Sequence, residues 1–286
     1  MRGADRVAAL ILGLGVGMIA VSAKADDLLA RGAELVRHVA VCGQCHTSLT
    51  PEGTPIAGLE LAGAAPKTVA VGTIAAPNLT PDLETGIGSW SEQDIVKALR
   101  TGLRPDGTII GPPMPIAYYR KLSDTDALAI AKYLKSIPPV RHLVPKSVYK
   151  GPLPTSYGGP VDGVTAPSPS DIVAYGGYVT GVAHCLLCHT PVANGRPDMS
   201  RVGAGGREYT GPQGEIISSA NITPDKTAGL GEWSDQDIKN AITQGINPNG
   251  APLNSFMPWR FFSGMAPKDL DAIVAYVRTL KPMQSD

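Results

Sequence analysis

Cys42-Gly43-Gln44-Cys45-His46 and Cys185-Leu186-Leu187-Cys188-His189 use up all four cysteines of this 286-residue chain. Each reads C-x-x-C-H, the attachment signature of a c-type haem. Two thiols one helical turn apart can each add across a vinyl group of a porphyrin, and the histidine that follows is then held under the iron as fifth ligand. A zinc site would instead need two cysteines and two histidines clustered together. The remaining histidines, His38, His142 and His184, do not fall at mirrored positions. Four cysteines in two tight pairs do not make a cross-linking scheme for a chain this long. The expected cofactors are two covalently bound haem c groups. Cys42, Cys45, Cys185 and Cys188 would attach them, with His46 and His189 as proximal ligands.

The two motifs lie 143 residues apart. The same offset carries Asn78-Leu79-Thr80-Pro81-Asp82 onto Asn221-Ile222-Thr223-Pro224-Asp225, and Gly86-Ile87-Gly88-Ser89-Trp90-Ser91 onto Gly229-Leu230-Gly231-Glu232-Trp233-Ser234. No gap is needed from Cys42 to Tyr133, which lands on Tyr276. This is the pattern of a tandem duplication, and each copy is far too long for a solenoid unit.

A haem held by one histidine has an open axial position, and its occupant separates electron carriage from catalysis. Beyond residue 25 the chain has Met114, Met199, Met257, Met265 and Met283. Under the offset, Met199 falls on Ile56, Met265 on Leu122 and Met283 on Val140, which reads as ordinary apolar packing. Met257 falls on Met114, and proline follows both. Met114 and Met257 are therefore the expected distal ligands. A dihaem cytochrome c peroxidase is the alternative reading. It needs one iron open to peroxide with an acid–base residue above it, whereas this sequence offers the same methionine to both.

The elements that must position these residues repeat as well. A first helix leads into each motif, over about Asp27–Val41 and Asp171–His184. Ser91-Glu92-Gln93-Asp94 and Ser234-Asp235-Gln236-Asp237 have the form of capping boxes, with Gly102 and Gly245 ending the helices they start. A last helix runs from about Asp124 to Ser136, capped by Ser123, and its copy from about Pro267 to Leu280. The expected fold is mostly α and loop-rich: two tandem cytochrome c-like domains, each with three to four helices around a haem. Trp90 and Trp233 are expected at a haem edge or in the core, Asn78 and Asn221 as turn residues, and Arg100 and Arg104 as solvated charges. Pro138–Ser170 holds eight prolines and four glycines in 33 residues. That composition suits neither helix nor strand and predicts an extended linker wrapped over both domains. The boundaries are 1–25, 26–137, 138–170 and 171–286.

Residues 1–25 read as a cleaved signal peptide. Arg2 and Arg6 precede an apolar stretch from Ala8 to Val21, and Ala23-Lys24-Ala25 is an A-x-A-like site with cleavage after Ala25. The apolar run falls short of the ~20 residues a spanning helix needs, which predicts a periplasmic protein with at most peripheral membrane association. Without Arg2, Arg6, Lys24 and Asp5, the 25 basic and 25 acidic residues fall to 22 and 24. A mildly acidic chain of this kind is not a nucleic-acid binder. Aromatic residues make up only 5%, thin for two independent cores unless each buries a macrocycle.

The order C-x-x-C-H, N-[LI]-T-P-D, G-[IL]-G-x-W-S-x-x-D-I and M-P resembles the cytochrome c subunits of bacterial membrane-associated alcohol, gluconate and sorbitol dehydrogenases. The resemblance covers about Leu28–Val140 and Ile172–Lys281. It implies a non-catalytic electron-transfer protein. Its upstream redox partner would be a dehydrogenase catalytic subunit, and its downstream partner a cytochrome, an oxidase or the quinone pathway. It also implies the same thioether, His and Met assignments. The best-known members carry three haem domains and a membrane-associating C-terminus. Two copies and the ending Lys281-Pro282-Met283-Gln284-Ser285-Asp286 imply a soluble or peripheral dihaem carrier.

Overall fold

The computed structural model describes residues 26–50, 53–211 and 214–285. The expected signal peptide lies outside these residues. Among the described residues each half contributes five helical segments, two of them single turns. In the first half these are α1 (residues 26–39), α2 (Gly43–His46), α3 (Glu92–Thr101), α4 (Ile116–Tyr119) and α5 (Asp124–Ser136). In the second they are α6 (Ile172–Val182), α7 (Cys185–Cys188), α8 (Asp235–Gln244), α9 (Trp259–Phe262) and α10 (Pro267–Val277). Both capping boxes form: Ser91 and Asp94, and Ser234 and Asp237, each satisfy the other's backbone amide. Gly102 and Gly245 close α3 and α8 in the left-handed region, at φ 70° and 67°.

Short strands, which the mostly-α expectation omitted, organise the loops. β1 (Lys67–Val69) and β2 (Gly72–Ile74) form a hairpin extended by β3 (Val148–Tyr149). The second half has β4 (Val192–Ala193) paired with β5 (Arg196–Pro197), and β6 (Glu208–Thr210) paired with β7 (Ile216–Ser218). Among the described residues no helix is long and apolar enough to cross a membrane.

The first helix of each half crosses the last at a glycine. A Cβ on Gly32 would overlap the Ala129 carbonyl in α5, and one on Gly176 the Ala272 carbonyl in α10; Tyr133 and Tyr276 are the next contacts. These crossings equate Gly32 with Gly176, an offset of 144, while the cysteines pair at 143. The first half thus holds one extra residue between crossing and motif. α1 absorbs it by widening into a π turn over Leu35–Val39, whereas α6 stays α-helical.

The loop register also departs from a single offset. Gly63 donates to the His46 carbonyl and Gly205 to the His189 carbonyl; Leu79 donates to the Leu61 carbonyl and Ile222 to the Gly203 carbonyl. Residues 61–64 therefore match 203–206, so the ungapped match from Cys42 to Tyr133 fails within this loop.

The proline-rich segment is docked, and its anchors belong to the first half rather than to both. The Val140 carbonyl accepts from Asn78, Tyr157 donates to the Ile110 carbonyl, and the Arg100 guanidinium donates to the Val161 carbonyl. Arg100 is 4% exposed and also pairs with Asp124 at 2.6 Å. The expectation of a solvated Arg100 is wrong, because it is a buried staple for the linker. Arg104 is half-buried, donating to the Ile109 carbonyl.

The halves share one continuous core and meet through a reciprocal polar contact. Asp126 and Asp269 are the third residues of α5 and α10. Arg31 donates to both oxygens of Asp126 at 3.1 Å and to Asp269 at 2.9 Å. Tyr178 donates to Asp126 at 2.7 Å and Tyr175 to Asp269 at 2.6 Å. Glu34 accepts from the Ala266 amide at 2.7 Å, and the Tyr178 oxygen accepts from the Ser123 amide at 3.1 Å. Ser123 and Ala266 are the equivalent caps of α5 and α10, so each half caps the last helix of the other.

Removing one partner of a buried ion pair leaves uncompensated charge, at a cost of about 3–5 kcal/mol. Arg31→Ala should lose stability on that scale in denaturant unfolding of the intact chain. Arg141→Ala, which breaks an exposed pair with Glu84, should lose under about 1 kcal/mol. Within α6, Gly176→Ala should destabilise by about 1–3 kcal/mol through its carbonyl clash. Gly181→Ala, with nothing nearby, should be neutral or stabilising by up to about 1 kcal/mol; equal effects at the two sites would refute the crossing argument.

Candidate haem attachment sites

Each motif starts after a residue in the left-handed region, Val41 at φ 44° and His184 at φ 46°. This ends α1 and α6 short of the expected Val41 and His184 and turns the chain into a fresh helical turn. Val41 is β-branched, so its conformation is strained and must be held by the packing that buries it. The His46 amide donates to the Cys42 carbonyl at 2.9 Å and the His189 amide to the Cys185 carbonyl at 3.0 Å. In both motifs the two thiols stand one turn apart.

All four cysteines are free. Burial, with help from the second thiol of the motif, pushes Cys42 and Cys185 up to about 12. Both are thiols at neutral pH. Burial also raises Cys45; Lys67 opposes the rise and Cys188 of the other half adds to it, so the two motifs lie within electrostatic reach. Among the described residues no three His, Cys, Asp or Glu side chains are grouped to hold a metal ion. A haem iron asks for less, one imidazole and one thioether from the protein.

The imidazoles fit that demand. His46 Nδ1 is 2.8 Å from the Pro77 carbonyl and His189 Nδ1 is 2.7 Å from the Ala220 carbonyl. A carbonyl only accepts, so Nδ1 carries the proton and Nε2 keeps its lone pair for a metal. Burial lowers the pKa of both rings, with the carbonyl bond opposing, which favours the neutral, ligating form.

The N-x-T block places those carbonyls. Asn78 follows Pro77 directly, and its Oδ1 accepts from the Thr80 amide and hydroxyl at 2.9 and 2.8 Å. Its amide donates to the Val140 carbonyl at 2.8 Å. Asn221 follows Ala220, accepts from the Thr223 amide and hydroxyl at 2.8 and 2.7 Å, and donates to the Met283 carbonyl at 2.6 Å. The turn role expected for these asparagines is correct. What the turn reading lacked is the tie to strands of chain some 60 residues away, which orients the histidine behind it.

Met114 and Met257 are half-buried against the shared core, at equivalent points just ahead of α4 and α9. Their carbonyls accept from Ile116 at 2.9 Å and Trp259 at 2.8 Å. Met265 and Leu122 are buried packing positions, as expected. Met199 is not: it is 74% exposed, because the β4–β5 hairpin and the turn after it stand out from the core. Trp90 lies half-buried against the core.

No family model matches the chain. Relatives do. It is 30% identical to the dihaem cytochrome c-type protein of Cereibacter sphaeroides, covering 85% of this chain and 83% of that one. It is 32% identical to the cytochrome c subunit of a quinone-dependent alcohol dehydrogenase from Gluconobacter oxydans. It is 30% identical to the cytochrome c subunit of a gluconate 2-dehydrogenase from Pantoea cypripedii. These alignments cover 94% of this chain but 59% and 64% of those subunits. The paired C-x-x-C-H turns and these relatives together mark a c-type cytochrome. The chain belongs to the family that takes in dihaem c-type cytochromes and the cytochrome c subunits of dehydrogenases.

Asn78→Ala should cost about 1–3 kcal/mol by leaving buried groups unpaired, and Asn221→Ala a similar amount. If the block also orients the histidine, each change should perturb the spectrum of its own half's haem alone. An effect on stability without that spectral change would reduce the block to a turn.

Proposed function

We propose that this chain is a dihaem electron-transfer protein. Its haem-binding domains are residues 26–137 and 171–286, products of a tandem duplication joined by the docked segment 138–170. Cys42 and Cys45, and Cys185 and Cys188, form the thioethers. His46 with Met114, and His189 with Met257, would hold the two irons. The observation that carries this reading is the matched pair of Nδ1-to-carbonyl bonds, which leave both Nε2 atoms free beside a pair of thiols. When bound, haem supplies a one-electron ferric/ferrous couple. The protein's own part is to fix each ring tautomer and to offer a thioether, a ligand that raises potential and leaves no open position.

The names of the relatives support a place beside a dehydrogenase. In this reading the chain takes electrons from a catalytic subunit and passes them to the respiratory chain in the periplasm, exported by the segment 1–25. It holds no catalytic residues of its own.

The denatured protein should carry two covalent haems, and Cys185→Ala/Cys188→Ala should carry one. The ferric protein should show the weak near-infrared band of thioether-ligated haem. Met114→Leu and Met257→Leu should each remove part of it, and together all of it. A missing band, or rapid peroxide turnover by the reduced protein, would overturn the carrier assignment.

A further inference from the structure

The short helices α4 and α9 occupy equivalent places, yet each packs on the other half. α4 lies against α6, and α9 lies against the π turn of α1. Two observations show where the aromatic residues on these turns reach. A Cβ on Gly43, inside the first C-x-x-C-H, would stand 3.1 Å from the Phe261 ring. The Phe261 carbonyl is also 3.0 Å from His38 Nδ1, which fixes α9 against the first half. Tyr118, the equivalent of Phe261, sits on α4, which packs on α6 just ahead of the second motif; burial raises its hydroxyl pKa, with Cys188 adding to the rise, Arg207 opposing it and Cys185 adding a little more. Its neighbour Tyr119 meets the His184 ring edge-on at 6.3 Å. Tyr119 also donates to the Ala40 carbonyl at 3.1 Å, which locks α4 in place.

Resting on the dihaem reading above, we propose that Phe261 and Tyr118 are crossed positioning residues: each covers the attachment turn of the other half's haem and thereby sets that haem's potential. Both side chains are half-buried, Phe261 against Gly43 of the first motif and Tyr118 on the turn that packs on α6. Excluding water there disfavours the more highly charged ferric form and raises the potential. The two covers differ in kind. A hydrocarbon ring lies over Gly43, whereas a phenol lies by the second motif, whose Leu186 replaces that glycine. The two couples are thereby offset even though both irons take the same ligand types.

The test is a potentiometric titration of the haem-loaded full chain, with the haems distinguished by single-site versions (Cys42→Ala/Cys45→Ala and Cys185→Ala/Cys188→Ala). Phe261→Ala should lower the ferrous-to-ferric ratio of the first haem at fixed potential by about threefold to tenfold, tenfold being about 59 mV for one electron. The second haem should stay nearly unmoved. Tyr118→Ala should do the reverse, and Phe261→Leu, which keeps a cover, should fall between wild type and Phe261→Ala. Should a single-site version fail to fold, resolved haem methyl signals in the two-haem protein give the same assignment. A shift in the variant's own half, or equal shifts in both, overturns the proposal with the haem reading intact. Absence of covalent haem overturns the haem reading itself.

Discussion

One guanidinium sits between two carboxylates that the repeat brings face to face. Asp126 and Asp269 occupy the same position in α5 and α10, and the reciprocal packing of the halves carries both to their boundary. Two buried carboxylates so placed repel each other unless a cation joins them. Among the described residues Arg31 meets that need alone, with two bonds to one and a third to the other. At the equivalent position stands Tyr175, a neutral donor. A tyrosine in place of Arg31 as well would leave both acids without a cation. The interface is therefore held by two unlike donors, a guanidinium and a phenol, at equivalent positions of the two halves.

That asymmetry has a counterpart in the chain path. Helix α1 must bring Arg31 to the boundary, cross α5 at Gly32 and still deliver Cys42 to the same place that Cys185 occupies. It does so with one residue more than α6. An extra residue in a regular α-helix would rotate everything after it by about 100°, turning Cys42 away from its pocket. Widening one turn over Leu35–Val39 takes up the residue locally, and the motif resumes in register. The buried Leu35, Val36 and Val39 hold that turn in place.

Much of this was legible in the sequence. Residues with local partners were read correctly: Ser91 with Asp94, Ser234 with Asp237, Gly102 and Gly245, and the start of α10 at Pro267. Their signals span three or four residues and depend on backbone geometry alone. Arg100 was misread because its partners, Val161, Leu122 and Asp124, are chain-distant and two are carbonyls, which no residue type announces. The interface was invisible for a further reason. A uniform offset of 143 sets Arg31 against Ala174, and only the crossing of α1 with α5 shows that its counterpart is Tyr175. The carbonyls of Pro77 and Ala220 were hidden in the same way. The N-x-T blocks were visible as a repeat, but what they aim at is main chain.

The candidate haem environments repeat in their ligating chemistry and diverge in what surrounds it. His46 is 6% exposed, while His189 is only half-buried, although both make the same carbonyl bond. Gly43 stands where the second motif has Leu186. In the dihaem reading proposed above, the groups repeated in both halves are those that would touch an iron, where losing one abolishes the site. The residues one layer out are left free, where a change shifts an energy without removing a ligand. In this fold α4 and α9 pack on the opposite half as well as on their own, so a substitution there reaches the neighbour's surroundings too. Sequence change in the two halves is then coupled where α4 and α9 cross the boundary at which Arg31 joins Asp126 and Asp269.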